Sequence, residues 1–333
     1  MLLSKQALTL TCGLVLSFNA IASDATSASK GSFSEYVTQL KLEAVEQGVK
    51  EQTINDVFPK IKMFKKAVAS DKAQPETKLT LETYLPRVVP DWKVEKARNL
   101  FKTHQVELER IGELYGVQPR FIVALWGVES NFGKLTGSYP VLSVTASLAY
   151  EGRREDFFKK EFFAALKIAE EQQFTFEEMK GSWAGAMGQT QFMPTSFLAY
   201  AQDGDGDGKK DIWNNSSDAF ASAAYYLQQA GWKESETWGR QVKTPTDFDA
   251  KLANLAVKKT FSQWQALGVR RFNGNDLPNR DDMMISMVMP DGEQGRKYLV
   301  YDNYRGLLRW NKSNYFAISV AYLSERIKYP PIS

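Results

Sequence analysis

Glu129 is the only carboxylic acid in an otherwise apolar stretch, residues 121–133 (FIVALWGVESNFG). At helical spacing, Leu125 and Ile122 lie one and two turns before it on the same face. Because an acid in apolar surroundings is costly to ionise, we expect a raised pKa. A carboxyl group that stays protonated near neutral pH can serve as a general acid. The alternative is a helix-terminal acid exposed to water.

A second segment, residues 181–196 (GSWAGAMGQTQFMPTS), combines small residues with neutral polar ones. Its glycines allow a ligand to approach the backbone closely. Ser182, Gln189 and Gln191 add neutral hydrogen-bonding groups, which are typical of sites for sugars and amides. A tight helix–helix contact is the alternative, since small residues permit that as well.

An acidic loop, residues 203–211 (DGDGDGKKD), matches the first half of an EF-hand calcium loop. Acids stand at positions one, three, five and nine, with Gly208 at position six. Position twelve is Asn214 instead of the usual Glu, so the nearby Asp218 is the expected closing ligand. Closely spaced aspartates repel without a cation, which favours a calcium site over a solvated acidic turn. The predicted metal-binding residues are Asp203, Asp205, Asp207, Lys209, Asp211 and Asp218.

Two further sites carry polar side chains. Arg153 and Arg154 are either surface charges or a pair that binds a carboxylate or peptide. Trp310 and Asn311 are predicted to enter the last helix, where Asn311 alone would be interpreted as a cap.

Composition excludes several chemistries. The 333 residues include one His, His104, and one Cys, Cys12. They allow no Cys/His zinc site and no disulfide, and a His-dependent triad only if His104 serves. A formal net charge of +3 is too small to indicate nucleic acid. We expect no organic cofactor, and carboxylates, Tyr, Ser, Arg and amides remain for catalysis.

The first 22 residues have the pattern of a cleaved secretory leader. Lys5 supplies the positive end, residues 7–18 are apolar but too short to span a bilayer, and Ala20-Ile-Ala22 fits a cleavage site. Because Cys12 lies inside the apolar part, lipoprotein anchoring is not expected. An uncleaved anchor is the alternative to an exported, soluble mature protein.

These candidate sites depend on helices for their positions. Gly48 separates two predicted helices within residues 33–57, and residues 94–115 predict one amphipathic helix that ends at Gly116. Pro119 suits the first turn of the helix that carries Glu129. Further helices are predicted over residues 154–172, 217–230 and 315–326.

Two apolar, strand-like runs, residues 283–289 and 296–301, flank a Pro290-Asp-Gly292 turn. This pattern predicts a hairpin. We therefore expect a mainly α (α+β) protein, with a helical body and a small antiparallel sheet before the last helix.

Taken together, the motifs resemble the membrane-bound lytic transglycosylase B type, including its soluble, periplasmic forms. The resemblance covers residues 33–327. It rests on residues 127–133 (GVESNFG), on AGAMG with QFMP (184–188 and 191–194), on DGDG with DIW (205–208 and 211–213), and on Asn311 with Ser313 and Tyr315, all in family order. These enzymes cleave bacterial peptidoglycan, which would place the mature chain in the periplasm.

The resemblance implies roles for single residues. Glu129 corresponds to the single catalytic acid and base, and Arg153 and Arg154 to a pair that contacts the muropeptide. Further positions would line the cleft around the sugars: Ser182, Gln191, Tyr226, Asn311 and Tyr84.

The resemblance also implies an architecture: a lysozyme-like helical catalytic core with an added helical domain and a small antiparallel β domain. The predicted parts are a signal peptide (1–22), a linker (23–32), an N-terminal helical domain (33–118), the catalytic core with its calcium loop (119–242), the β domain (243–309) and a C-terminal helix returning to the core (310–333).

One acid suffices for cleavage if the substrate supplies the nucleophile. The N-acetyl group at C2 of MurNAc would attack C1 while Glu129 protonates the leaving oxygen, and Glu129 would then take a proton from the C6 hydroxyl. The product is a 1,6-anhydro-MurNAc end. Expected partners are peptidoglycan glycan strands and, among proteins, cell-wall synthases, and a monomer is expected.

We weighed three alternatives to a lytic transglycosylase. A lysozyme-like muramidase would release reducing ends, and a calcium-stabilised wall-binding protein would not cleave at all. A solute-binding protein of a transporter would show repeated βαβ patterns, which this chain lacks.

Overall fold

The helical body predicted from the sequence is present in the computed structural model, which describes residues 31–72 and 79–328. The predicted fold class, mainly helical with a small antiparallel sheet, is confirmed. The predicted signal peptide lies outside the described residues, as does most of the linker. Within the described ranges, no helix is both long enough and apolar enough to cross a membrane.

The described residues form fourteen α-helices. These are α1 (Phe33–Glu46), α2 (Glu51–Val57), α3 (Lys65–Lys72), α4 (Leu81–Val88), α5 (Asp91–Thr103), α6 (Gln105–Tyr115), α7 (Pro119–Ser130), α8 (Val141–Glu151), α9 (Glu155–Gln172), α10 (Pro194–Tyr200), α11 (Ser216–Gln229), α12 (Phe261–Ala266), α13 (Asp302–Trp310) and α14 (Asn314–Lys328). Two 3₁₀ helices cover Phe58–Lys60 and Ala250–Leu252.

One long predicted helix is in fact two. The prediction of a single helix over residues 94–115 is wrong, because the chain breaks at His104 between α5 and α6. His104 adopts φ −103° and ψ 18°, and its ring packs edge-on against Trp126 and Phe220. A one-residue break barely disturbs apolar spacing, so the pattern did not reveal it. Gly116 ends α6 in the left-handed conformation, as predicted.

The strands form two small antiparallel sheets. They are β1 (Tyr139–Pro140), β2 (Lys180–Gly181), β3 (Gly239–Lys243), β4 (Arg270–Arg271), β5 (Ser286–Val288) and β6 (Lys297–Val300). The larger sheet has the order β4-β3-β6-β5, and β5 pairs with β6 in the hairpin that the sequence predicts. Strand β6 leads almost directly into α13.

Helix α7 lies in the middle of the largest apolar core. Six of its residues in a row, 121–126, belong to this core, and α4, α5, α6, α11, α13, α14, β5 and β6 also contribute to it. A second core joins α1 and α2 to α8, α9 and α10, and a third lies under the larger sheet. Because α4 to α7 share one core, helices on both sides of the predicted boundary at residue 118 pack together. The domain boundaries stay a prediction.

Candidate active site

Glu129 occupies the last turn of α7. Pro119 begins this helix at the position where its missing N–H costs nothing. After Ser130 the chain leaves the helix through Asn131 and Phe132, both with positive φ (52° and 60°). Left-handed backbone at two non-glycine residues is uncommon and must be held by contacts elsewhere.

Phe132 supplies one of those contacts. A Cβ atom at Gly127 would lie 2.7 Å from the Phe132 ring, so only glycine lets the ring fold back onto α7. The same ring packs edge-on against Trp126, with 5.5 Å between centroids. The Phe132 amide donates to the carbonyl of Trp126 at 3.1 Å. The sharp turn that follows Glu129 is therefore fixed by side-chain packing.

Gln189 ties α7 to the small-residue segment. The Trp126 indole N–H donates to Gln189 Oε1 at 2.7 Å, and Gln189 Nε2 donates to the carbonyl of Trp213 at 3.2 Å. A Cβ atom at Gly133 would lie 2.6 Å from Gln189 Oε1. Glycine at position 133 is thus required for this bridge, which holds the segment 181–196 against the end of α7.

The carboxyl group of Glu129 has one hydrogen-bond donor among the described residues: Trp310 Nε1–H, 2.5 Å from Oε1. Ile122 and Leu125 line the same cavity as Glu129, as the helical spacing predicts. Burial raises the pKa of Glu129 from 4.5 to about 7, and the Trp310 hydrogen bond opposes that rise. No neighbouring acid of the described chain contributes. Near neutral pH the group can both donate and accept a proton.

Trp310 was not assigned a role from the sequence. The structure also corrects its placement, because Trp310 ends α13 and does not enter the last helix, which begins at Asn314. The indole is held by aromatic neighbours, with Tyr226 at 4.8 Å and Phe192 at 5.2 Å between ring centroids. Since 181 residues separate Trp310 from Glu129, no local pattern could have indicated the contact.

Tyr226, predicted to line the cleft, lies in this aromatic group. Its hydroxyl donates to the carbonyl of Arg309 at 2.8 Å, which anchors the end of α13 on α11. Asn311, the next predicted cleft residue, is exposed just after Trp310, and its side chain accepts from the amide of Ser313 at 3.0 Å. Asn311 therefore does cap local backbone, and it stands beside the residue that contacts Glu129.

Tyr84 lies close enough to Glu129 for the charge of that carboxylate to affect the pKa of the Tyr84 hydroxyl. Burial raises the pKa of Tyr84, and the negative charge of Glu129 raises it further. The ring packs edge-on against Tyr315 at 5.1 Å, and the Tyr315 hydroxyl donates to the carbonyl of Leu79 at 2.7 Å. Helix α4 thus brings a phenol towards the catalytic candidate, and a role of Tyr84 in lining the cleft stays a prediction.

Ser182 and Gln191 lie on the small-residue segment, which folds back on itself. Isolated bridges link Gly181 to Met187 and Met187 to Phe192. Within this turn Ser182 Oγ accepts from the amide of Ala186 at 3.1 Å.

Gln191 adopts a positive φ of 51°. Its Nε2 donates to the carbonyls of Gly188 and Thr136, at 2.9 and 3.3 Å. Both predicted residues are half-buried and are held by the backbone of their own turn.

Arg153 and Arg154 are placed apart from this group. Among the described contacts neither touches Glu129, and both pair with the buried carboxylate of Asp71 at the end of α3. Arg153 Nε donates to Asp71 Oδ2 at 3.1 Å, and the two guanidinium groups hold the pKa of Asp71 below its usual range despite burial. About half of each arginine side chain remains exposed (51% and 44%).

The acidic loop gathers three of the predicted ligands. Single carboxylate oxygens of Asp203, Asp205 and Asp218 lie within 4.8 Å of one another. Oxygens on one calcium ion, at 2.3–2.6 Å from it, span about this distance. Burial and the charges of the other two aspartates raise the pKa of Asp218 to about 6. A fully buried carboxylate beside two others fits a cation.

The other predicted metal ligands lie in the same loop but outside this group of three. Asp207 accepts from the amide of Lys209 at 2.8 Å, and Asp211 accepts from the amides of Trp213 and Asn214. Asp203 accepts from the amides of residues 206, 207 and 208, which curls the loop around its first position. The loop conformation is thus organised by carboxylates that accept from nearby backbone amides.

A mainly helical body that buries one protonatable glutamate against aromatic side chains is typical of the lysozyme-like class. The chain belongs to the transglycosylase SLT domain family, whose model matches residues 32–325. The membrane-bound lytic murein transglycosylase B of Escherichia coli (strain K12) is 31% identical over 244 residues, which make up 72% of this chain and 65% of that relative. The chain thus spans just under two thirds of this curated relative.

Solved structures show the same fold. SltB3 from Pseudomonas aeruginosa, in complex with NAG-anhNAM-pentapeptide, superposes with a TM-score of 0.86 at 37% identity, covering 89% of this chain and 80% of SltB3. The soluble lytic transglycosylase SltB1 from the same organism gives 0.77 at 29% identity, covering 89% and 97%. Escherichia coli lytic transglycosylase Slt35 in complex with calcium gives 0.73 at 25% identity, covering 88% and 92%.

Proposed function

We propose that this chain is a peptidoglycan lytic transglycosylase that cleaves the β-1,4 bond between MurNAc and GlcNAc and leaves 1,6-anhydro-MurNAc ends. The observation that carries this proposal is the Glu129 carboxyl, whose pKa of about 7 comes from burial with one donor, Trp310, beside it. Family membership and the sugar–peptide ligand named in the SltB3 complex support the substrate class.

In the first step Glu129 donates its proton to the glycosidic oxygen as the C1–O bond breaks. The carbonyl oxygen of the substrate's N-acetyl group attacks C1, so an oxazolinium ion forms and GlcNAc leaves with the proton. The carboxylate so produced is stabilised by the Trp310 N–H. The protein needs to supply one acid at this stage, and the described site offers one.

In the second step the Glu129 carboxylate accepts the proton of the C6 hydroxyl, whose oxygen attacks C1 and displaces the N-acetyl oxygen. The acid is thereby restored and no water is consumed. A pKa near 7 suits both halves of this cycle, because the group gives up and regains a proton at similar cost. The aromatic group around Trp310 and the phenol of Tyr84 would keep bulk water from the oxazolinium.

A lysozyme-like muramidase would use the same acid but release reducing ends. Two-carboxylate hydrolases place their second acid about 5–9.5 Å from the first, and in the described residues no second acid influences the pKa of Glu129. This favours the transglycosylase over the hydrolase. The raised pKa of Glu129 also argues against a wall-binding protein without activity, because such a protein has no use for a desolvated acid.

Calcium is proposed as a structural ion of the 203–218 loop. Asp203, Asp205 and Asp218 would hold it, and the Slt35 structure in complex with calcium supports the assignment. Bound calcium would cancel the repulsion among these carboxylates and so stabilise the loop beside α11. The loop also contacts α6, since Arg110 donates to the carbonyl of Gly204 at 2.5 Å.

The remaining roles are proposed in the same way. Ser182, Gln191, Tyr226, Asn311 and Tyr84 would line the sugar subsites, and Arg153 with Arg154 would contact the peptide stem, with about half of each side chain free to do so. The periplasm is the proposed location, on the strength of the leader pattern of residues 1–22. Cell-wall synthases are the proposed protein partners.

Digestion of purified sacculi, followed by mass spectrometry of the released muropeptides, tests the activity. The wild type should release anhydro-ended products, and Glu129→Gln should release none. Glu113→Gln, which changes an exposed helical glutamate, is the matched control and should cleave like the wild type. Reducing-end products from the wild type would make the protein a hydrolase, and an active Glu129→Gln variant would remove Glu129 from the mechanism.

A further inference from the structure

Thr190 has a buried hydroxyl that the mechanism above does not use. The residue is 4% exposed, and its Oγ1 atom is inaccessible to solvent and has no hydrogen-bond partner among the described residues. A hydroxyl carries one donor and two acceptor sites, and leaving it unpaired in the interior costs free energy. We therefore expect Thr190 Oγ1 to have a hydrogen-bond partner other than the described residues.

Thr190 lines the cavity that Glu129 also lines, and this cavity of about 10 Å³ has room for one water molecule. Trp126, Gln189 and Trp310 also line this cavity, and each already has a hydrogen-bond partner. The Trp126 indole and the Gln189 side chain bond to each other, and the Trp310 indole bonds to Glu129 Oε1.

Two polar groups of the lining can take a further hydrogen bond: the Thr190 hydroxyl, which has no partner among the described residues, and the carboxyl group of Glu129, which accepts from Trp310 and has lone pairs to spare. The rest of the wall is apolar, contributed by residues such as Ile122, Leu125 and Phe220. A water molecule in a cavity of this kind needs at least two polar partners, and these two groups are the ones available.

We propose that Thr190 is a positioning residue, which holds one buried water molecule against the carboxyl group of Glu129. The Thr190 hydroxyl donates to this water, and the water donates to the carboxylate. A hydrogen bond to an ionised acceptor is stronger than one to a neutral acceptor, so the water favours the state of Glu129 that follows the first proton transfer. The inference rests on the proposed function of Glu129.

The test compares Thr190→Val with Thr190→Ser. Valine keeps the shape but removes the hydroxyl, so it should raise the pKa of Glu129 and move the alkaline limb of kcat/KM on sacculi upwards by about half a pH unit. Serine keeps the hydroxyl and should restore the wild-type profile. Thr145→Val removes a buried hydroxyl that donates to the carbonyl of Val141 at 2.8 Å, and should leave the limb in place.

Two readouts need no activity. A crystal structure of the wild type should show one ordered water between Thr190 Oγ1 and the Glu129 carboxyl group, and that of Thr190→Val should show none. Thr190→Val should gain no thermal stability, because its hydroxyl was satisfied. A clear rise in Tm would mean that the hydroxyl was unpaired, and this result, an empty wild-type cavity or an unmoved pH limb would each overturn the inference.

These results separate the two proposals. If the wild type releases no anhydro-ended products, the proposed function fails, while the crystallographic water and the Tm comparison still judge Thr190. If the wild type is active and these tests fail, only the role of Thr190 is lost.

Discussion

Replacing Glu129 with Gln should make the protein more stable at alkaline pH while it abolishes cleavage. Glutamine has nearly the same shape as the protonated acid and can still accept from Trp310 Nε1 through its carbonyl oxygen. It cannot ionise. The variant therefore isolates what the charge of Glu129 costs the fold.

The magnitude follows from the pKa of Glu129, which lies at about 7 in the folded protein against 4.5 ordinarily. A difference of about 2.5, at about 1.4 kcal/mol for each pKa unit, corresponds to about 3 kcal/mol. Below pH 4.5 the acid is protonated in both states and costs nothing. Between pH 4.5 and about 7 the folded state binds more protons than the unfolded state, so wild-type stability falls as pH rises.

Glu129→Gln lacks this decline. Its advantage over the wild type should be near zero at pH 4.5 and should reach up to about 3 kcal/mol above pH 8. For a chain of 333 residues that free energy corresponds to about 4 °C in Tm. Asp218, whose pKa is raised to about 6, also titrates in this range. Because Asp218 is present in both proteins and the same excess of calcium is added to both, its effect cancels in the difference.

The assay is urea unfolding, followed by tryptophan fluorescence, at half-unit steps from pH 4.5 to 8.5 with excess calcium. Glu113→Gln is the control and should follow the wild type at every pH. If the difference between Glu129→Gln and the wild type stays constant across this range, Glu129 is not a desolvated acid, and its proposed catalytic role loses its physical basis.

Three further predictions follow from single contacts. Trp310→Phe removes the donor that favours ionised Glu129, so the alkaline limb of sacculus cleavage should move to higher pH; an unchanged pH profile would exclude the contact. Lys93→Met should stabilise the protein against urea by about 1 kcal/mol at pH 7. Burial and the charge of Lys96 lower the pKa of this lysine, and no acid of the described chain pairs with it. A lower urea midpoint for the variant would contradict this expectation. Removing calcium with EGTA should lower Tm, and Asp218→Asn should weaken that response; equal Tm values with and without EGTA would rule out a structural ion.

The parts of the site that could be predicted from the sequence are those set by local spacing. Ile122 and Leu125 share the cavity of Glu129 because they share its helix face. The hairpin of β5 and β6 follows from two apolar runs around a turn. In each case the interacting residues lie within about a dozen positions of one another.

Contacts between distant segments could not be predicted in this way. The pairing of Arg153 and Arg154 with Asp71 joins residues 82 and 83 positions apart, and nothing near Asp71 marks it as their partner. Sequence therefore suggested two free cations where the structure has a triad of one buried acid and two arginines. The pair would approach a substrate carboxylate from positions already fixed by Asp71.

The larger sheet helps to place Trp310 beside Glu129. Strand β6 ends at Val300 and α13 begins at Asp302, so the sheet sets where this helix starts. Arg305 of α13 donates to Ser286 Oγ at 2.8 Å and so ties the helix to the neighbouring strand. At its ninth residue α13 ends with the indole that bonds to Glu129. The sheet thus positions a donor that helps set the pKa of an acid on another element, and in the proposed mechanism its contribution is the placement of one N–H group.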